Sequence, residues 1–227
     1  MILTAFALGG ILYIINYFFV AKKKIEVQPF VLVACFALAS AACFCFNYFV
    51  HPGLRGKDYS VFEMFQMGLA FAYFYTLIFF FVFANVAGFI LKLETKKHLD
   101  ILAPSIVLFG AVSKIGCHFT GCCHGITING VEVPTVLIEC GVMFVAFLVF
   151  QFFIKRNRML NFVLFYSSFR FIIEFFRRSS GAVRLFDIFT PAHWLAFAVI
   201  LVILINYKYF AMPEKISNSK EINNETT

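Results

Sequence analysis

Charge is scarce in this sequence: 14% of its 227 residues are Asp, Glu, Lys or Arg, against about a quarter in soluble domains. Acidic residues are the rarer kind, 12 Asp and Glu against 19 Lys and Arg. No polar or charged stretch is long enough to build a separate soluble domain, and no fixed-period repeat runs through the chain. The first apolar run has no basic n-region and no small-residue cleavage site before Lys22, so it reads as a retained span and not as a removable signal peptide. What fills the chain instead is apolar bulk. It is 62% hydrophobic, with 34 Phe and a mean hydropathy of +0.88, which excludes an ordinary soluble core and fits a polytopic membrane protein of all-α class.

Apolar runs cover Ile2 to Val20, Phe30 to Val50, Phe62 to Leu91, Leu99 to Ile115, Val133 to Ile154, Leu160 to Phe176 and Pro191 to Phe210. A bilayer core needs roughly 20 helical residues, so the expectation is seven spans in one domain, residues 1–210. The third run is overlong, and the fourth is short and begins I-L-A-P, so it reads as a short span or a re-entrant segment. The polar tail, residues 211–227, reads as disordered. Seven alternating spans place Lys22, Lys23, Lys24, Lys92, Lys96, Lys97, Lys155, Arg156, Arg158, Lys208, Lys215 and Lys220, twelve of the 19 basic residues, on one side. By the positive-inside rule that side is cytoplasmic, with the N-terminus outside and the C-terminus inside. The excess of basic residues reflects this topology and anionic lipid; it does not point to nucleic acid.

Chemistry concentrates in Ser113 to Gly125, S-K-I-G-C-H-F-T-G-C-C-H-G, read as a loop facing outward. It holds three of the seven cysteines and two of the five histidines. Reactive and charged groups near a bilayer are costly and are usually kept for function. Cys117, His118, Cys122, Cys123 and His124 are soft ligands, but their spacing matches no standard zinc pattern. Outside the cell Cys117 can instead pair with Cys122 or Cys123. Metal binding, a disulfide or packing, and a catalytic role all stay open here. Cys35, Cys43, Cys45 and Cys140 lie in apolar runs and read as small packing residues. Directly after the loop, I-T-I-N-G-V-E-V alternates around Asn129-Gly130, a signal for a two-residue hairpin that would form a rigid flap.

A second polar feature lies on the sixth run. Tyr166, Arg170, Glu174 and Arg177 or Arg178 recur at helical spacing along one face. An arginine inside a span needs a carboxylate, carbonyls or a polar cavity. A self-contained Arg170 and Glu174 pair would serve only to position helices. A cationic pocket for an anionic headgroup would use the planar guanidinium, which holds phosphate through two donors.

From Asp100 to Leu201 the order of features resembles the prolipoprotein diacylglyceryl transferase family: a glycine-rich external loop, P-T-V-L-I-E opening the next span, Y-x-x-x-R-F-I-I-E-F-F-R, and His-Trp entering the last span. The resemblance implies a seven-span protein of the bacterial plasma (inner) membrane. Its implied reaction transfers diacylglyceryl from phosphatidylglycerol to the thiol of a lipobox cysteine in a prolipoprotein signal peptide and releases glycerol phosphate, with no cofactor. The family's loop motif is G-R-x-G-N-F-x-N-x-E-x-x-G. By that match Lys114 stands for its arginine, Cys117 for asparagine and Cys122 for glutamate, while Gly116 and Gly125 are kept. Tyr166 and Arg170 match its tyrosine and second arginine. Lys114, Arg170 and Tyr166 are thus implied as catalytic, and Lys114, Gly116, Cys117, Cys122, Gly125, Glu139, Glu174 and Arg177 as substrate-binding. The family's His-Gly-Gly before the third span is absent; S-V-F-E-M-F-Q-M-G stands there. His118 or His124 is the replacement base that chemistry offers, since a histidine can deprotonate a thiol near neutral pH. The alternative is a divergent paralogue that has lost the reaction and uses the Cys/His loop for metal, thiol redox chemistry or lipid.

The charge asymmetry generates a direct test. A reporter fused after Thr227 is expected to be active only in the cytoplasm, and periplasmic activity there would invert the topology.

Overall fold

The structure, a computed structural model, describes residues 2–21, 28–50, 73–91, 95–120, 125–177, 189–205 and 207. Within a bilayer every backbone N–H and C=O must be satisfied inside its own segment, so apolar runs become helices. Among the described residues there are seven: α1 (Ile2–Ala21), α2 (Gln28–Val50), α3 (Tyr73–Leu91), α4 (Thr95–Thr120), α5 (Thr135–Leu148), α6 (Arg158–Ile173) and α7 (Pro191–Ile205). A π turn, Val149–Phe153, extends α5, and a 3-10 turn, Glu174–Phe176, extends α6. Tyr73–Leu91, Thr95–Phe119, Thr135–Phe153 and Arg158–Phe176 are long and apolar enough to cross a membrane. The extension of the third run from Phe62 to Ala72 and the tail beyond 210 lie outside the described residues.

The fourth element departs from expectation. It is neither short nor re-entrant but a continuous helix of 26 residues, with Pro104 inside it. A proline removes one helical hydrogen bond, yet transmembrane helices tolerate it where neighbouring helices pack against the break. Pro104 is fully buried, and α4 packs against α1, α5 and α6. The same helix runs through Ser113 to Thr120, so most of the expected external loop is helical.

Small residues let these helices approach. Ala39, Ala84, Ala103 and Ala196 are fully buried. At Gly110 of α4 a Cβ would stand 2.5 Å from Met143 Cε of α5 and 2.7 Å from Tyr73 Cζ of α3. Three helices therefore meet one turn before Lys114. Tyr73 also donates its hydroxyl to the Ile106 carbonyl at 2.7 Å, joining α3 to α4. At the opposite end of α4 the Asp100 carboxylate accepts from the Met159 N–H at 3.0 Å. This supplies from a neighbouring helix the N-terminal cap that Asn157, in a left-handed conformation, does not provide. Asn16 of α1 and Gln151 of the π turn exchange amide hydrogen bonds at 3.3 and 3.2 Å, so neither is left exposed to lipid.

The hairpin forms where the Asn-Gly signal placed it. Thr127–Ile128 (β1) pairs antiparallel with Val131–Glu132 (β2), Thr127 opposite Glu132 and Ile128 opposite Val131. Asn129 and Gly130 take φ of 52° and 81°, the positive values a type I′ turn requires. The flap is not loose. The Ile126 N–H donates to the Phe176 carbonyl at 2.9 Å, tying it to the end of α6. Of the cysteines in apolar runs, Cys35 and Cys43 are buried, Cys140 is half-buried and Cys45 is exposed.

The close approach at Gly110 sets a stability expectation. Gly110→Ala should destabilise by about 1–3 kcal/mol through overpacking. Gly141→Ala, where a Cβ meets nothing within 4 Å, should be neutral or mildly stabilising. Thermal midpoints in detergent check both, and equal behaviour would contradict the proposed three-helix contact.

Candidate active site

Five charged side chains converge near the ends of three helices. Lys114 projects from α4, Glu139 from the second turn of α5, Arg170 from the last turn of α6, Glu174 from the 3-10 turn, and Arg177 from the extended residue that follows. Glu139 is 1% exposed and sits at the centre. Its Oε2 pairs with Lys114 Nζ. Its Oε1 accepts from Arg170 Nη1 at 2.6 Å and from Arg177 Nη1 at 3.5 Å. Glu174 Oε2 holds the other arm of the Arg170 fork, Nη2, at 2.7 Å. Arg170 therefore links two carboxylates, and its buried Nε has no hydrogen-bond partner among the described residues.

Electrostatics makes this arrangement obligatory. A lone carboxylate or guanidinium in a low-dielectric interior carries a desolvation penalty of several kcal/mol, offset only by close, well-directed partners. Counting Lys114, Arg170 and Arg177 against Glu139 and Glu174 leaves one positive charge in excess among the described residues. The Arg170 and Glu174 pair is thus not self-contained; Glu139 ties it to α4 and α5.

Lys114, Glu139, Arg170, Glu174 and Arg177 are brought together. Tyr166, also buried, lies one turn before Arg170, with its ring edge-on to Tyr73 at 5.4 Å between centroids. Gly116 and Cys117 belong to the last turns of α4, where Cys117 is buried. Gly125 contributes through its backbone: it bridges to Arg177, its N–H donates to Glu132 Oε1 at 3.2 Å, and a Cβ there would collide with the Val133 carbonyl. His118 is exposed beside Phe119, with ring centroids 5.8 Å apart, and does not join the charged group among the described residues. Cys122, Cys123, His124 and Arg178 lie outside the described residues. No group of three His, Cys, Asp or Glu side chains among the described residues is arranged to hold a metal ion.

Two residues join the site with no role assigned to them from the sequence, although His193 stood in the His-Trp that enters the last span. Thr190 donates its hydroxyl to Glu174 Oε1 at 3.1 Å, and its backbone N–H donates to His193 Nδ1 at 3.1 Å. The signal was present as T-P-A-H: a threonine before a proline that starts a helix is an N-cap pattern, and the third helical residue is where a capping-box side chain reaches back.

A family model described as Prolipoprotein diacylglyceryl transferase matches residues 1–209, and the chain belongs to that family. No curated protein and no solved structure matches it.

Glu139 is the residue whose loss should be felt most. Glu139→Gln leaves Lys114, Arg170 and Arg177 facing one carboxylate and should destabilise the fold by about 3–5 kcal/mol. Adding Lys114→Met should recover part of that loss, because it removes one of the uncompensated charges. Thermal midpoints of the single and double variants in detergent decide it; additive losses would show that Lys114 and Glu139 are not coupled.

Proposed function

We propose that this member of the prolipoprotein diacylglyceryl transferase family takes phosphatidylglycerol as its donor and moves the diacylglyceryl group to the lipobox cysteine thiol of a prolipoprotein in a bacterial plasma membrane. The carbon–oxygen bond to the phosphate breaks, a carbon–sulfur thioether bond forms, glycerol phosphate leaves, and the thiol proton passes to a base. The observation that carries the proposal is the largely buried cluster with one positive charge in excess among the described residues, in a chain of this family. Leaving-group departure builds negative charge on phosphate, so fixed cations act more strongly in the transition state than on bound lipid. Arg170 and Lys114 supply that stabilisation, Arg177 completes the cationic wall, and Tyr166 closes it from the α3 side. Glu139 and Glu174 hold the cations in register; Gly116, Cys117, Cys122 and Gly125 shape the headgroup site. His118 stands one turn beyond Lys114 and, with His124, is the candidate to take the thiol proton. Seven spans, with the N-terminus outside and the C-terminus in the cytoplasm, bring this end of α4 to the outer face, where the signal peptide arrives.

The missing His-Gly-Gly favours a second reading, a paralogue that no longer catalyses transfer. The two separate in one assay, transfer of labelled diacylglyceryl to a lipobox peptide by purified protein in nanodiscs. Arg170→Gln should lower the rate by about 10²–10³, or roughly 2.7–4 kcal/mol. Arg170→Lys should recover part of it, because a point charge cannot reproduce the fork. Lys114→Arg should leave activity intact or raise it. Full activity in a folded Arg170→Gln protein would refute the phosphate role, and wild-type protein inactive with every donor would favour the second reading.

A further inference from the structure

We propose that His193 is a positioning residue for the transfer reaction, acting on Arg170 through Thr190 and Glu174. The role rests on the transferase reading above. His193 is 1% exposed, in the first turn of α7, enclosed by the rings of Phe171, Phe175 and Phe189 at centroid distances of 5.3, 4.4 and 5.5 Å. Its Nδ1 accepts the Thr190 backbone N–H, a donor that cannot reverse. In a neutral imidazole this puts the ring proton on Nε2.

That assignment decides where the Thr190 hydroxyl proton goes. Thr190 Oγ1 lies 3.0 Å from His193 Nδ1 and 3.1 Å from Glu174 Oε1, and it has one proton to give. With Nδ1 already taken by the backbone N–H, the hydroxyl donates to Glu174. Glu174 Oε1 is thereby fixed, and its Oε2 holds Arg170 Nη2. The chain from His193 to Thr190, Glu174 and Arg170 locks the guanidinium plane before phosphate arrives, and preorganised donors stabilise developing charge without reorganising. Without the Nδ1 acceptor, the Thr190 N–H loses its partner, the backbone that carries the hydroxyl is no longer held in place opposite Glu174, and the Arg170 fork loses the fixed position of one of its two anchors.

A bland role competes with this one. His193 at the third helical position, reaching back to the Thr190 N–H, is also half of a capping box and would stabilise α7 whatever the reaction. The test therefore separates turnover from stability. His193→Phe keeps the aromatic packing and removes the acceptor. His193→Gln keeps a capping-box acceptor and removes the ring. Thr190→Val removes the hydroxyl alone. In the nanodisc assay His193→Phe and Thr190→Val should each lower kcat roughly 10- to 100-fold, as expected for a lost hydrogen bond to a charged group, with KM for the donor nearly unchanged. The double variant should fall little further, and His193→Gln should recover most of kcat. Thermal midpoints in detergent accompany each measurement, so a loss that tracks unfolding counts against the role. Full kcat in folded His193→Phe, or a loss in His193→Gln with none in His193→Phe, overturns the relay while the transferase reading stands. Wild-type protein inactive with every donor removes the transferase reading and this role with it.

Discussion

A carboxylate inside a membrane is tolerable only where cations enclose it, and Glu139 is enclosed by three from two other helices and the segment after one of them. That requirement fixes more than charge. Lys114 can reach Glu139 only if α4 stays helical past Gly110, and Arg170 and Arg177 can reach it only if α6 tightens into its 3-10 turn and then extends. The flap is drawn in by the same segment, because Ile126 hydrogen-bonds to Phe176, next to Arg177. One buried acid thus sets the relative placement of α4, α5, α6 and the hairpin. The contact at Gly110, where α3 and α5 close on α4, supplies the apolar floor on which the ions sit.

Much of the fold was legible because a bilayer leaves the chain few choices. Six of the seven apolar runs begin within four residues of the corresponding helix, and Asn129-Gly130 named its own turn. The failure at α4 has a clear origin. Pro104 and Gly116 are breakers by local rules, but a membrane helix has nowhere else to satisfy its backbone, so packing overrode local preference. The stripe of Tyr166, Arg170 and Glu174 was readable from spacing alone, whereas the pairing of each cation with a carboxylate was not. Partner choice across helices depends on rotation and depth, which periodicity does not encode. Thr190 and His193 were readable in principle as a capping pattern, but nothing local shows that the cap turns its hydroxyl toward Glu174.

The lysine at position 114 follows from the same crowding. Glu139 Oε1 is occupied by Arg170 and Arg177, which leaves Oε2 for one further cation. A compact ammonium satisfies that oxygen with one of three donors and keeps the others for a ligand, but it cannot align them in a plane. An arginine in its place would bring a planar fork with one protein acceptor waiting for it. Its remaining donors would need an outside oxyanion. On the reading proposed above, lysine at this position trades directional grip on phosphate for a cluster whose charges are closer to being satisfied within the protein, and Arg170, whose Nε has no hydrogen-bond partner among the described residues, becomes the planar group to meet an incoming headgroup.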